Sequence, residues 1–110
     1  LDNYFERGCI FMSNVIFFNS YKLKKGVSVP DFLLVVEKLS NEYISQQKGY
    51  ISFNLLVDGE TWADFTTFKT MDDAKRFAES SEPNKLAEKF YSFISLNSCK
   101  THYFSVERSY

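Results

Sequence analysis

Cysteine is scarce in this 110-residue chain, with only Cys9 and Cys99 present. Two are too few for a disulfide framework, and no CxxC pair or Cys/His cluster exists to hold zinc. No metal and no cofactor is therefore expected, and a reducing, cytoplasmic setting is the default. Histidine is scarcer still, with His102 alone. Charge of one sign is lacking too. The formal net charge is −1, so no global field draws the chain to nucleic acid or to an anionic membrane. Lys22, Lys24 and Lys25 form the densest basic group and read as a solvated loop. The apolar run near Cys9–Phe18 is broken by Ser13 and Asn14 and has no basic n-region. It suits neither a signal peptide nor a membrane span. GxGxxG, Walker, GxSxG and HExxH strings are all absent, which removes the usual nucleotide, hydrolase and zinc-protease signatures.

Aromatic residues are abundant, at 18% of the chain with 12 Phe and 7 Tyr, and hydrophobic residues reach 45%. Such side chains carry large buried area, so one domain with one core is expected. Met12 precedes a strong strand. Residues 1–11 are read as an N-terminal extension or expression remnant, and residues 12–110 as the single domain.

Val15–Leu23 (VIFFNSYKL) is β-branched and aromatic and predicts a strand. A helix is expected over Val29–Gln47, capped by Ser28 with Asp31 three positions on and Pro30 in the first turn. Its apolar face would be Val29, Phe32, Leu33, Val36, Leu39, Tyr43 and Ile44, and Gly49 would supply its left-handed stop. Tyr50–Val57 and Thr61–Phe68 predict two strands joined by a hairpin at Asp58–Gly59. Thr70 caps a second helix, where Asp72 and Asp73 serve the helix dipole. Ser80–Pro83 interrupts it, and a further helical stretch is expected over Asn84–Leu96, stopped by Asn97–Ser98. Lys100–Glu107 predicts the last strand. The order βαββαβ points to an α+β, ferredoxin-like domain, with an antiparallel four-stranded sheet and helices on one face.

These strands are apolar on both sides, unlike those of a sheet with one wet face. Val15 and Phe17 oppose Ile16 and Phe18, Phe65 opposes Trp62 and Phe68, and Tyr103 opposes Phe104. Helices cover one face only. Covering roughly 800 Å2 of the other at about 25 cal/mol per Å2 gives a gross drive of order 20 kcal/mol per side before association costs. A homodimer, sheet against sheet, is the expected answer.

Trp62, Asp64, Thr66 and Phe68 share one face of their strand, and Asn19 shares a face with Phe17 and Tyr21. If these faces look towards the helices, they line an aromatic pocket with sparse polar groups, which suits a small hydrophobic or aromatic ligand. Tyr91 on the second helical stretch is a further lining candidate. A carboxylate in mid-strand is costly to bury unpaired. The plain reading of Asp64 is therefore a salt bridge or hydrogen bond. The functional reading is a base that deprotonates a phenol or enol, whose carbanion reacts with O2. His102 reads either as a hydrogen-bonded filler or as a proton-transfer group at a pocket mouth. Cys99 is three residues from it, on the opposite strand face, so a Cys–His pair is not expected.

Several strings resemble antibiotic-biosynthesis-monooxygenase domains of the dimeric α+β barrel superfamily. They are a first strand running into Lys24-Lys25-Gly26, a helix ending Lys48-Gly49-Tyr50, and a third strand leading into Phe68-Lys69-Thr70-Met71-Asp72-Asp73-Ala74. The resemblance spans about Asn14 to Glu107. It implies paired sheets, a pocket between sheet and helices, and for some members oxidation of polyketide-like aromatics without metal or flavin. The heme-degrading branch uses an Asn on the first strand, a Trp at the end of the third, and a His on the second helical segment. Asn19 matches, but Phe68 stands at the Trp position and no histidine lies between Asp72 and Leu96. Heme degradation is not expected.

RNA-binding modules share the βαββαβ order. Here, however, Trp62, Phe65 and Phe68 recur every three residues and scatter over both faces, and the full Lys/Arg-Gly-aromatic-Gly/Ala-Phe-Val string is absent. Two functions fit: a cofactor-independent monooxygenase whose catalytic candidates are Asp64, His102 and Asn19, and a non-catalytic module binding a hydrophobic ligand or a partner. The monooxygenase requires an enclosed cavity beside Asn19 and Asp64.

Overall fold

A computed structural model describes residues 14–110; the expectations for residues 1–11 and for Met12 and Cys9 lie outside them. The elements are β1 (Val15–Leu23), α1 (Val29–Glu42), β2 (Tyr50–Asp58), β3 (Thr61–Phe68), α2 (Met71–Ala78), α3 (Lys85–Ser92) and β4 (Ile94–Ser105), with a 3-10 turn at Ile44–Gln46. All pairings are antiparallel, in the order β2-β3-β1-β4. This is the ferredoxin-like α+β arrangement, with β1 and β3 central and both buried on the helix side.

The helix starts follow local chemistry. Ser28 Oγ accepts from the Asp31 amide at 3.3 Å, Thr70 Oγ1 from Asp73 at 3.0 Å, and Asn84 Oδ1 from Ala87 at 2.8 Å. Each satisfies one amide that the first helical turn leaves unpaired.

The structure revises several expectations. First, α1 ends at Glu42 and tightens into the 3-10 turn, so Gly49 is not its stop. Gly49 instead turns the chain into β2 at φ +80°, with its carbonyl accepting from the Lys69 amide at 2.9 Å. Second, Val29 and Leu33 stay exposed, at 40% and 43%. The inward stripe of α1 is the narrower set Phe32, Val36 and Leu39. Third, the last strand begins at Ile94, where helix had been expected, because Leu23 pairs with Ile94 and Lys22 with Ser95. The ladder then breaks and resumes at Ser20 and Lys100. Ser98, expected to end a helix, fills this break. Its hydroxyl accepts from the Lys22 amide at 2.8 Å and donates to the Ser95 carbonyl at 2.6 Å.

The core forms two packs. One gathers Tyr21, Phe32, Val36, Leu39, Ile44, Phe90, Phe93 and Ile94 under α1 and α3. Phe32 is fully buried and meets Phe90 stacked at 5.8 Å and Trp62 edge-on at 5.2 Å. The other gathers Val15, Phe68 and Ala74 under α2. Phe77 touches both. Because Glu79–Asn84 breaks the helical layer into two eight-residue helices, neither pack covers mid-sheet. That gap positions the site.

Candidate functional site

A cavity of about 390 Å3 occupies the gap. Its floor is the helix-facing side of the central strands, with Phe17, Asn19 and Tyr21 from β1 and Asp64 and Thr66 from β3. Leu39, Tyr43, Phe77, Phe90 and Tyr91 supply apolar and aromatic walls, and residues 80–84 rim it. The volume and the mix of apolar walls with few polar groups are those of a small-molecule site.

Asp64 is the polar centre and is 7% exposed. It stands opposite Asn19 in the β1–β3 ladder. The Tyr21 hydroxyl, one inward position along β1, donates to Asp64 Oδ2 at 2.6 Å. Thr101, opposite Asn19 on β4, donates its hydroxyl to Asn19 Oδ1 at 2.7 Å. The carbonyl oxygen of Asn19 is thereby occupied, and its amide nitrogen is left to serve Asp64. The Asp64 carboxyl is pushed up from 3.8 to about 6, because burial disfavours its charge, while hydrogen bonds from Tyr21 and then Asn19 pull part of the way back. Burial, then the charge of Asp64, holds the Tyr21 proton firmly on its oxygen. Tyr91 and Cys99 are raised by the same two causes in the same order. Neither is poised to ionise, whereas Asp64 can exchange a proton near neutral pH.

Of the residues singled out by sequence, Asn19, Tyr21, Asp64, Thr66 and Tyr91 surround the cavity. Three do not. Trp62 shares their face but is packed against Phe32. Phe68 shares it too, fully buried beneath Phe77 with ring centroids 5.6 Å apart. Both lie near the ends of β3, where helices cover the sheet. His102 is the plainest correction. It pairs with Phe18 on the outer face and stacks on Phe104 at 5.2 Å, so it is not at the pocket mouth. Strand alternation places Thr101 and Tyr103 inward and His102 outward.

Sequence reasoning missed Cys99, Phe53, Phe77, Phe90 and the 80–84 rim as lining residues, and Thr101 as the partner of Asn19. Phe53 and Phe77 had a signal in their inward periodicity. Cys99 shares the alternation of Thr101 and Tyr103, but sequence does not say which face of β4 looks inward. Among the described residues, no three of His, Cys, Asp and Glu converge as metal ligands. No helix there is long and apolar enough to cross a membrane.

No protein-family profile matches the chain, and no curated protein matches it in sequence. Solved structures do match. SnoaB of Streptomyces nogalater, a cofactor-independent oxygenase, superposes with a TM-score of 0.71 at 13% identity, over 88% of this chain and 96% of that one. Two proteins provisionally named antibiotic biosynthesis monooxygenases also superpose. The one from Caulobacter crescentus has a TM-score of 0.69 at 11% identity, over 89% and 93% of the two chains. The one from Bacillus cereus has 0.61 at 19%, over 89% and 97%. The fold of this chain is therefore the one that antibiotic-biosynthesis-monooxygenase-like proteins adopt, as the sequence resemblance implied. At these identities the likeness establishes fold alone.

Proposed function

We propose that this protein is a cofactor-independent monooxygenase acting on a small aromatic, polyketide-like substrate held between sheet and helices. The observation that carries the reading is Asp64: a buried carboxyl, supported by Tyr21 and Asn19, at the floor of a largely aromatic cavity. The ionised carboxylate takes a proton from an activated carbon of an anthrone or from the hydroxyl of its enol. The rings delocalise the resulting charge, and Asn19 and Tyr21 hold the carboxylate in place. The carbanion passes one electron to O2, and the two radicals join in a carbon–oxygen bond. The peroxide takes up the proton and loses water to leave a carbonyl. One oxygen atom ends in product and one in water, so the substrate CH2 supplies all the electrons required.

The reading includes a homodimer. Phe104 and Leu56 are 49% and 44% exposed. Phe104 shares the outer sheet face with Phe18, which it meets edge-on at 6.0 Å, and with the stacked His102. A second copy laid on this face removes that area from water. The reading also places the protein in the cytoplasm, where thiols stay reduced.

Oxygen consumption with a panel of anthrones and quinols tests the chemistry, corrected for spontaneous oxidation. Wild type is expected to consume O2 with at least one of them, and Asp64→Asn to lose on the order of 100-fold, the usual contribution of a positioned base. Equal rates for the two proteins refute the role of Asp64. Tight binding without turnover of any panel member favours the alternative, a ligand-binding module.

A further inference from the structure

The cavity has a one-sided charge. Its ionisable wall residues include three carboxyl groups, with Asp64 on the floor, Glu82 on the rim and Glu88 on α3. Among the described residues, no lysine, arginine or histidine lines it. Two lysines of the neighbouring helices lie over aromatic rings, Lys75 over Tyr103 at 5.7 Å and Lys89 over Phe93 at 5.3 Å. A carboxylated ligand would thus enter an apolar space, lose its hydration, and meet acids with no cation to offset them. A neutral hydroxylated ring meets no such penalty and can hydrogen-bond to Asp64, Asn19 or Thr66. Size narrows the class further. At about 30 Å3 per liquid-water oxygen, the space holds roughly 13 such atoms. Bonded ring atoms pack somewhat closer, so two or three fused rings fit.

We infer that the cavity selects uncharged, hydroxylated two- or three-ring aromatics and turns away their carboxylated counterparts, with Glu82 and Glu88 as the specificity-determining residues at its entrance. This rests on the proposed function for the identity of the pocket, but it concerns binding and is read without turnover.

The test is equilibrium binding of three flat probes to the whole chain by calorimetry: a dihydroxyanthraquinone, its ring carboxylate, and the matching ring carboxamide. The carboxamide copies the bulk of the carboxylate without its charge. The expected result is similar affinity for the parent and the carboxamide, with the carboxylate weaker by about tenfold or more. In the Glu82→Gln/Glu88→Gln double variant the carboxylate-to-carboxamide ratio should move at least threefold towards unity. Equal affinities for carboxylate and carboxamide in wild type overturn the inference, and so does an unchanged ratio in the double variant. Rejection of the carboxamide together with the carboxylate also overturns it, since shape would then be selecting. If wild type oxidises anthrones while showing no charge preference, only this inference fails. If none of the three probes binds, the inference fails, while the monooxygenase reading stands or falls separately with oxygen consumption.

Discussion

Replacing Asp64 by asparagine should change the pH dependence of stability in a direction opposite to that of most carboxylates. The Asp64 carboxyl rises from 3.8 to about 6 on folding. Between those values the folded protein binds more protons than the unfolded chain, so stability falls as pH rises through this window. About two pH decades at about 1.4 kcal/mol each give a penalty of about 3 kcal/mol, absent below about pH 4 and complete above about pH 6. Asp73 works the other way. Burial alone would raise it, but hydrogen bonds from Thr70 and Arg76 and the charge of Arg76 outweigh that, so its carboxyl is lowered. Its contribution is present above the unfolded value and lost as pH falls. Both proteins carry Asp73, so the difference between them isolates Asp64. The amide of D64N still accepts from Tyr21, and any misfit it introduces is independent of pH. Urea unfolding followed by the single tryptophan, Trp62, at fixed protein concentration should show D64N gaining about 3 kcal/mol relative to wild type between pH 4 and pH 8. A flat difference, or one that falls with rising pH, would refute the assignment of Asp64 as a carboxyl that folding makes harder to ionise.

Three further outcomes are expected. Tyr21→Phe removes the 2.6 Å hydrogen bond that lowers the Asp64 carboxyl. The acid limb of the oxygen-consumption profile should therefore move to higher pH by about one to two units, since a hydrogen bond to a charged group contributes about 1.5–3 kcal/mol; an unmoved limb counts against the pairing. Gly49→Ala places a methyl group 2.1 Å from Asp73 Oδ2 at a backbone φ of +80°. It should cost on the order of 1–3 kcal/mol in urea unfolding, whereas the exposed Gly26→Ala, also at positive φ but with open space around it, should cost less. Phe104→Asp sets a charge on the outer sheet face and should shift sedimentation from dimer to monomer at micromolar concentration; a wild-type monomer would remove the pairing altogether.

Strands β1 and β3 could be read from sequence because they are central. Residues 15–23 and 61–68 are dense in β-branched and aromatic side chains, and their ends fall where turn chemistry puts them. The caps at Ser28 and Thr70 are equally local, since each needs only one side-chain oxygen and an amide three residues on. The end of α1 and the start of β4 are not local. Tyr43 and Ile44 keep a helical spacing through a 3-10 turn that contains neither Gly nor Pro. Phe93, Ile94 and Leu96 extend the apolar spacing of α3, and what makes Ile94 a strand residue is its pairing with Leu23, more than 70 positions away. Periodicity cannot register such a partner. For the same reason, alternation told that Tyr103 and Phe104 point apart but not which one faces the helices. The pocket-mouth alternative for His102 turns on that open choice.

The cavity illustrates how a local irregularity becomes a site. Ser80–Pro83 stops helix formation between two short amphipathic segments, and each segment then buries its own stripe over one end of the sheet. Mid-sheet is left to the side chains of Asn19, Asp64 and Thr66, which are too small and polar to fill it. An apolar residue at position 64 would close the space and remove the cost of burying a charge at neutral pH, and that cost is what the D64N comparison measures. A polar group kept in mid-strand against that gradient, with Tyr21, Asn19 and Thr101 arranged around it, is the kind of departure from packing logic expected where a protein does chemistry. The two aromatics at the ends of β3, Trp62 and Phe68, follow the packing rule and lie under helices; Asp64 between them breaks it and faces the cavity.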